Sequence, residues 1–132
     1  MKIILASQSK ARRELMKQLG VPFECVTSGY EEDMNAHKNP KTLAIHLAEG
    51  KAAFIAHQHP SCTIIGADTF ILIDQKKVGK PANIEEAKKI IQSMSGKTIG
   101  VHSGVAVINT DSQGKITKKL VRHILTKLSK KC

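Results

Sequence analysis

Four groups of residues in this 132-residue chain have types and spacings that suit phosphate chemistry. Ser7, Ser9, Arg12 and Arg13 stand where a short apolar run gives way to the start of a helix. Free N–H groups and the positive end of the helix dipole favour anions there, and an arginine adds a planar fork that matches phosphate oxygens. The same residues also read as a capped surface helix with solvated arginines. Asp68 follows an apolar run at 62–65 and the pair Gly66-Ala67, which places it at an expected strand end, where ligand sites collect in α/β sheets. A carboxylate there could hold a divalent metal or activate a water. It could equally be a turn aspartate bonded to its own backbone. Glu31 and Glu32 offer a further oxygen ligand for Mg²⁺, or form a solvated acidic loop. Lys51 lies on the row 43, 47, 51, 55 of an apolar helical stripe, so it must snorkel outward or meet an anion. Lys80, before Pro81, could neutralise polyphosphate or serve as surface charge. Taken together, these carboxylates, lysines and arginines suit metal-assisted attack of water on a phosphoanhydride. No activated Ser or Cys triad accompanies them, and there is no GxxxxGK[ST] loop of the P-loop type.

The elements that must hold these residues alternate. Residues 2–6 predict a short buried strand. Ser9 is the expected N-cap of a helix over 10–19, with Leu15, Met16 and Leu19 as its apolar stripe and Gly20 at its end. Residues 22–27 predict a second strand, and 28–39 a polar loop. Pro40 occupies the first position of the clearest helix, in which Leu43, Ala44, Leu47, Ala48, Ala52, Ile55 and Ala56 recur at helical spacing. A strand over 62–65 leads past Asp68 to an extended run at 69–73 and an expected turn at 74–77. Asn83 and Glu86 form a capping box for a helix over 84–94. Residues 98–109 predict a strand, followed by a hairpin-like turn at 111–114. Alternating strands and helices imply an α/β domain. In residues 115–132, Ile116, Leu120, Val121, Ile124, Leu125 and Leu128 form a helical stripe with lysines opposite. Such a tail could pack on the body, pair with a second copy of the chain, or touch an anionic surface; packing on the body or a partner chain is the expectation, since an exposed apolar stripe is a liability.

Composition narrows the partners. The net charge of +10 suggests nucleic acid, but seven of those charges are the unopposed Lys115, Lys118, Lys119, Arg122, Lys127, Lys130 and Lys131. Residues 1–114 hold 14 Lys plus Arg against 11 Asp plus Glu. Aromatics are 3% of the chain, so stacking platforms for bases are scarce and nucleic acid is not the expected partner. No apolar run approaches the roughly 20 residues of a membrane helix, and residues 1–6 turn polar too soon for a signal peptide. The expected location is the cytoplasm, with no membrane partner. Cys25, Cys62 and Cys132 have neither zinc nor disulfide spacing and read as buried or incidental thiols.

The stretches LASQSKARRELMKQLG (5–20), EE (31–32), LAEGKA (47–52), IIGADTFILIDQKKVGKP (64–81), EEAKKIIQSMSGKT (85–98) and SGVAVI (103–108) resemble, in order and spacing, the Maf family of septum-formation-inhibitor-like nucleoside triphosphate pyrophosphatases. The resemblance implies a mixed sheet with flanking helices, related to inosine triphosphate pyrophosphatases. It implies hydrolysis of a nucleoside triphosphate, including modified or non-canonical ones, to the monophosphate and pyrophosphate with Mg²⁺ or Mn²⁺. By position, Ser7, Ser9 and Arg12 match the family's phosphate-binding motif, with Arg13 less regular there. Glu32 matches the acidic metal position, Asp68 the base or metal carboxylate, and Lys51 and Lys80 the lysines of its KA and KP pairs. The sequence departs from the family at Lys10, Ile99 and His102, where proline, histidine and tyrosine are usual. The family's glutamine-bearing and closing C-terminal segments have no counterpart. The expected fold is therefore a Maf-like domain over 1–114, lacking much of the C-terminal lobe, followed by the basic tail 115–132. A nucleotide-binding relative without turnover is the main alternative, and a nucleic-acid module using the basic tail is a further one.

Overall fold

In the computed structural model, residues 2–27, 39–73, 76–78 and 82–129 are described. The elements in chain order are β1 (Lys2–Ala6), α1 (Lys10–Gln18), β2 (Glu24–Cys25), α2 (Pro40–Ala56), β3 (Cys62–Ile73), β4 (Lys76–Val78), α3 (Ile84–Ser93), β5 (Thr98–Thr110) and β6 (Ile116–Ser129). They build one sheet in the order β2-β1-β3-β5-β6, with β4 also on β3. The β1 pairings with β2 and β3 are parallel, and the remaining pairings are antiparallel. This is the α/β domain that the alternating elements imply, with the mixed sheet and flanking helices that the resemblance implies.

Period-two alternation decides which face is core. On β3 the even residues Cys62, Ile64, Gly66, Asp68 and Phe70 are buried, and on β5 the even residues 102 to 110 are. That face carries α2. Asn39 caps this helix by accepting from the backbone N–H groups of Lys41 and Thr42, and Pro40 stands in its first turn. Ala44, Ala48, Ala52 and Ala56, all fully buried, make a ridge of small side chains at i, i+4 spacing. The ridge lies on two glycines. A Cβ on Gly66 would meet the Ala48 carbonyl oxygen and, at 2.9 Å, the Ala52 nitrogen; one on Gly104 would run into the Ala44 carbonyl. The helix backbone therefore rests directly on the sheet.

Several sequence expectations are corrected. The second strand shrinks from 22–27 to the two-residue β2. The expected turn at 74–77 gives way at Lys76 to β4. Glu86 does not close the capping box on Asn83; its carboxylate accepts from the Ala82 N–H, while Asn83 caps α3 through the Glu86 N–H. The tail is not a helix over its described part. Residues 116–129 pair with β5 along its whole length, after a turn in which Asp111 accepts from the N–H groups of Gln113 and Lys115. These two bonds hold the Asp111 carboxyl below its ordinary value of 3.8. Helical periodicity loses here because β5 offers a long open edge of backbone donors and acceptors that a strand can satisfy. Ile116 and Val121 then pack against the main core, and Lys119 forms an ion pair with Glu49 of α2.

A histidine pair joins β6 to the rest beneath the first half of α2. His102 stacks on Phe70, its cross-strand partner, at a ring separation of 5.4 Å, and its Nδ1 lies 2.9 Å from Nε2 of His123. Burial and then the neighbouring His123 lower the His102 pKa from its ordinary 6.5. Burial and then the Lys41 charge lower that of His123.

Two outcomes follow from this packing. Gly104→Ala is expected to lose about 3 kcal/mol of stability in a denaturant titration, since its Cβ meets backbone that cannot move aside locally. The histidine pair makes stability depend on pH with a definite sign. Both groups bind protons less readily folded than unfolded, so stability is constant well above 6.5 and declines as the pH falls below it. Melting temperatures between pH 7.5 and 5.5 should show this decline, and His123→Gln should flatten it.

Candidate functional site

The site begins where β1 ends. β1 pairs with β3 from Lys2–Cys62 to Ala6–Gly66, and β4 takes up the same side of β3 only from Ile71. Among the described residues, the β3 edge from Ala67 to Phe70 therefore has no strand partner on that side. The turn Ser7–Ser9 and the N-terminus of α1 stand beside this gap. Sequence reasoning placed Asp68 at the end of a strand; it lies within a continuous β3 of 12 residues, and the gap beside it comes from the shortness of β1.

Ser9 is the N-cap of α1, accepting from the Arg12 N–H at 3.3 Å, and its own N–H donates to the Ser7 hydroxyl at 3.1 Å. The first amides of any helix have no acceptor within it, and no acidic residue occupies this first turn. The Arg12 guanidinium donates through Nη1 to the Ser7 hydroxyl at 3.2 Å and through Nη2 to the Thr69 hydroxyl at 3.4 Å. Thr69 in turn lies 3.0 Å from the Ser103 hydroxyl on β5. Arg13 turns elsewhere, toward a shallow depression with Lys17 and Gly20–Phe23.

On the other face of β3, the Lys51 Nζ donates to Oδ1 of Asp68 at 2.9 Å. Their side chains are 16% and 13% exposed, so the pair is largely screened from water. The lysine on the apolar stripe thus meets an anion instead of snorkelling. Its neighbours Ala48 and Ala52 rest on Gly66, which brings it within reach of the strand. The residue opposite Asp68 on β5 is Gly104, so no β5 side chain crowds the carboxylate. Asp68 and Thr69, adjacent on one strand, point to opposite faces. The Arg12 cluster and the Lys51–Asp68 pair consequently flank the open β3 edge at one level.

Glu31, Glu32 and Lys80 lie outside the described residues, and so does Cys132. Cys62 is buried and Cys25 exposed. Among the described residues, no group of three His, Cys, Asp or Glu side chains is arranged to hold a metal, and no helix is long and apolar enough to cross a membrane. Sequence reasoning missed Thr69 and Ser103. Strand alternation was the available signal, since it assigns Thr69 to the face that carries α1.

Beside Arg12 an apolar groove of about 450 Å³ runs between α1 and the uncovered sheet face, lined by Leu15, Leu19, Ile65, Val105 and Ile124 among others. Met16 is the buried residue of α1; Leu15 and Leu19, expected on its inner stripe, are 61% and 68% exposed.

The chain is 43% identical over 110 residues to a dTTP/UTP pyrophosphatase of Bacillus mycoides (strain KBAB4), covering 83% of this chain and 58% of that protein. It is 44% identical to one of Bacillus cereus (strain ATCC 10987 / NRS 248), covering 54% of it. The chain thus spans little more than half the length of these relatives. Among solved structures, a HAM1 protein from Coxiella burnetii superposes with a TM-score of 0.62 at 17% identity, over 98% of this chain and 72% of that one. A nucleoside-triphosphatase / dITP/XTP pyrophosphatase from Mycobacterium abscessus superposes with a TM-score of 0.59 at 17% identity, over 98% of this chain and 74% of that one. These two share the fold. The family model described as Maf-like protein matches residues 2–130, which include β6, and the chain belongs to that family.

Proposed function

We propose that this protein is a nucleoside triphosphate pyrophosphatase that cleaves between the α- and β-phosphates. The observation that carries the reading is the Arg12 guanidinium on one face of β3 and the Lys51–Asp68 ion pair on the other, beside a stretch of β3 that has a strand partner on one side only among the described residues. A phosphate chain lying across that edge meets the guanidinium, the free amides of α1 and the ammonium together. The dTTP/UTP pyrophosphatase names of the relatives support pyrimidine nucleotides as substrates.

In this reading Ser7, Ser9 and Arg12 hold phosphate oxygens, with Arg13 adding positive charge to the same turn and Lys80 neutralising the β- and γ-phosphates. Asp68 accepts a proton from the attacking water. The new bond joins the water oxygen to the α-phosphorus; the bond from that phosphorus to the bridging oxygen breaks, and pyrophosphate leaves with that oxygen. Lys51 orients the carboxylate and stabilises charge that builds on the phosphate. Carboxylates suit a hard divalent ion, because Mg²⁺ is satisfied by one or two of them with water and substrate phosphate. Asp68 and Glu32 would hold Mg²⁺ or Mn²⁺, which when bound neutralises phosphate charge. A second reading is nucleotide binding without turnover; calorimetric binding of dTTP with no pyrophosphate released would establish it.

The test is pyrophosphate release from dTTP, UTP, CTP and methylated pyrimidine nucleotides with Mg²⁺. Monophosphate and pyrophosphate should appear in equal amounts, and a chelator should stop the reaction until Mg²⁺ or Mn²⁺ is restored. Asp68→Asn should lower kcat at least about 100-fold, and undiminished release would refute its role. Arg12→Ala should raise KM about tenfold or more, as loss of a charged hydrogen-bond donor to phosphate does, and Arg13→Ala should change it much less.

A further inference from the structure

We infer that Thr69, fixed in turn by Ser103, positions the Arg12 guanidinium for an anion. The inference rests on the proposed phosphate role of Arg12 and goes beyond it to the residues that aim the side chain.

A guanidinium only donates, so the Thr69 oxygen must accept from Arg12. The Thr69 hydroxyl also lies 3.0 Å from that of Ser103, and either of the two can donate to the other while Thr69 accepts from Arg12. Thr69 and Ser103 are directly opposed in the β3–β5 register, so the backbone of two paired strands sets this contact. The chain of Arg12, Thr69 and Ser103 links α1, β3 and β5. At the other terminal nitrogen of Arg12, the Ser7 hydroxyl accepts, and the same oxygen accepts from the Ser9 N–H. Each terminal nitrogen of the guanidinium thus meets one neutral hydroxyl.

Neutral acceptors matter here. A carboxylate would hold Arg12 more tightly but would cancel the charge an anion needs. Among the described residues no carboxylate forms an ion pair with Arg12. Two hydroxyls fix the plane of the fork, leave its charge intact and leave its other N–H groups for phosphate oxygens. α1 itself buries little against the sheet, with Met16 as its buried residue. Its hydrogen bond to Thr69 thus ties the proposed anion-binding turn to the strand that carries Asp68.

The experiment compares Thr69→Val, Thr69→Ser and Ser103→Ala with wild type, reading calorimetric affinity for inorganic tripolyphosphate and, separately, KM and kcat for dTTP with Mg²⁺. Valine keeps the shape and suits an exposed strand position, so melting temperatures should not change. Thr69→Val should weaken tripolyphosphate binding about tenfold and raise KM in parallel, with kcat within about twofold, as expected for one hydrogen bond to a charged group. Thr69→Ser should restore wild-type affinity, and Ser103→Ala should fall between. Combining Thr69→Val with Arg12→Lys should add little to the loss from Arg12→Lys alone. Wild-type affinity in Thr69→Val, failure of serine to rescue, or full additivity would overturn the inference, as would wild type that does not bind tripolyphosphate. Binding of tripolyphosphate without pyrophosphate release would instead sink the hydrolytic reading and leave the positioning role to be decided by the valine variant.

Discussion

The close approach of α2 to the sheet is the constraint on which the rest depends. A helix held at ordinary distance by larger side chains would leave Lys51 short of β3. The alanine ridge over Gly66 and Gly104 removes that spacing, so the helix backbone touches strand backbone. Both partners of the contact are small, and neither can be enlarged alone. The same contact buries most of the core, because Ile4, Leu47, Ile55, Ile64 and Ile108 close around it. Packing and chemistry are therefore coupled: the lysine–carboxylate geometry is set by the two glycines and not by loops.

The two cations of the site are handled differently. Lys51 meets a carboxylate in a largely dry setting, where removing either partner would strand a charge. Arg12 is held by hydroxyls in a more open setting, where its charge stays available. One cation thus belongs to a fixed pair on the core side, and the other faces the groove. The strand between them presents a carboxylate to one side and a hydroxyl to the other by simple alternation at Asp68 and Thr69.

Local features were legible in the sequence. Ser9 and Asn83 cap the helices that their residue types predict, and Pro40 marks the start of α2. The row 43, 47, 51, 55 identified Lys51 as a lysine needing an anion, but could not name Asp68 as that anion, since the pairing depends on how α2 crosses β3. The helical stripe of residues 116–128 misled because its apolar spacing suits two structures, and the choice between them is made by the open edge of β5. Asp68 was placed at a strand end because a glycine and an alanine precede it; Gly66 instead marks where α2 presses on an unbroken strand.

The position of β6 gives the unbalanced charge of the chain a different meaning. Among the described residues β6 is the outermost strand of its side of the sheet, 14 residues long, with Leu120, Ile124 and Leu125 exposed. Such a margin is a template on which like molecules could stack into fibrils. Lys118, Lys119, Arg122 and Lys127 lie along it with no acidic residue between them. Two molecules meeting margin to margin would bring these rows of like charge together. The basicity that first suggested a polyanionic partner thus sets like charge against like charge wherever two such margins meet.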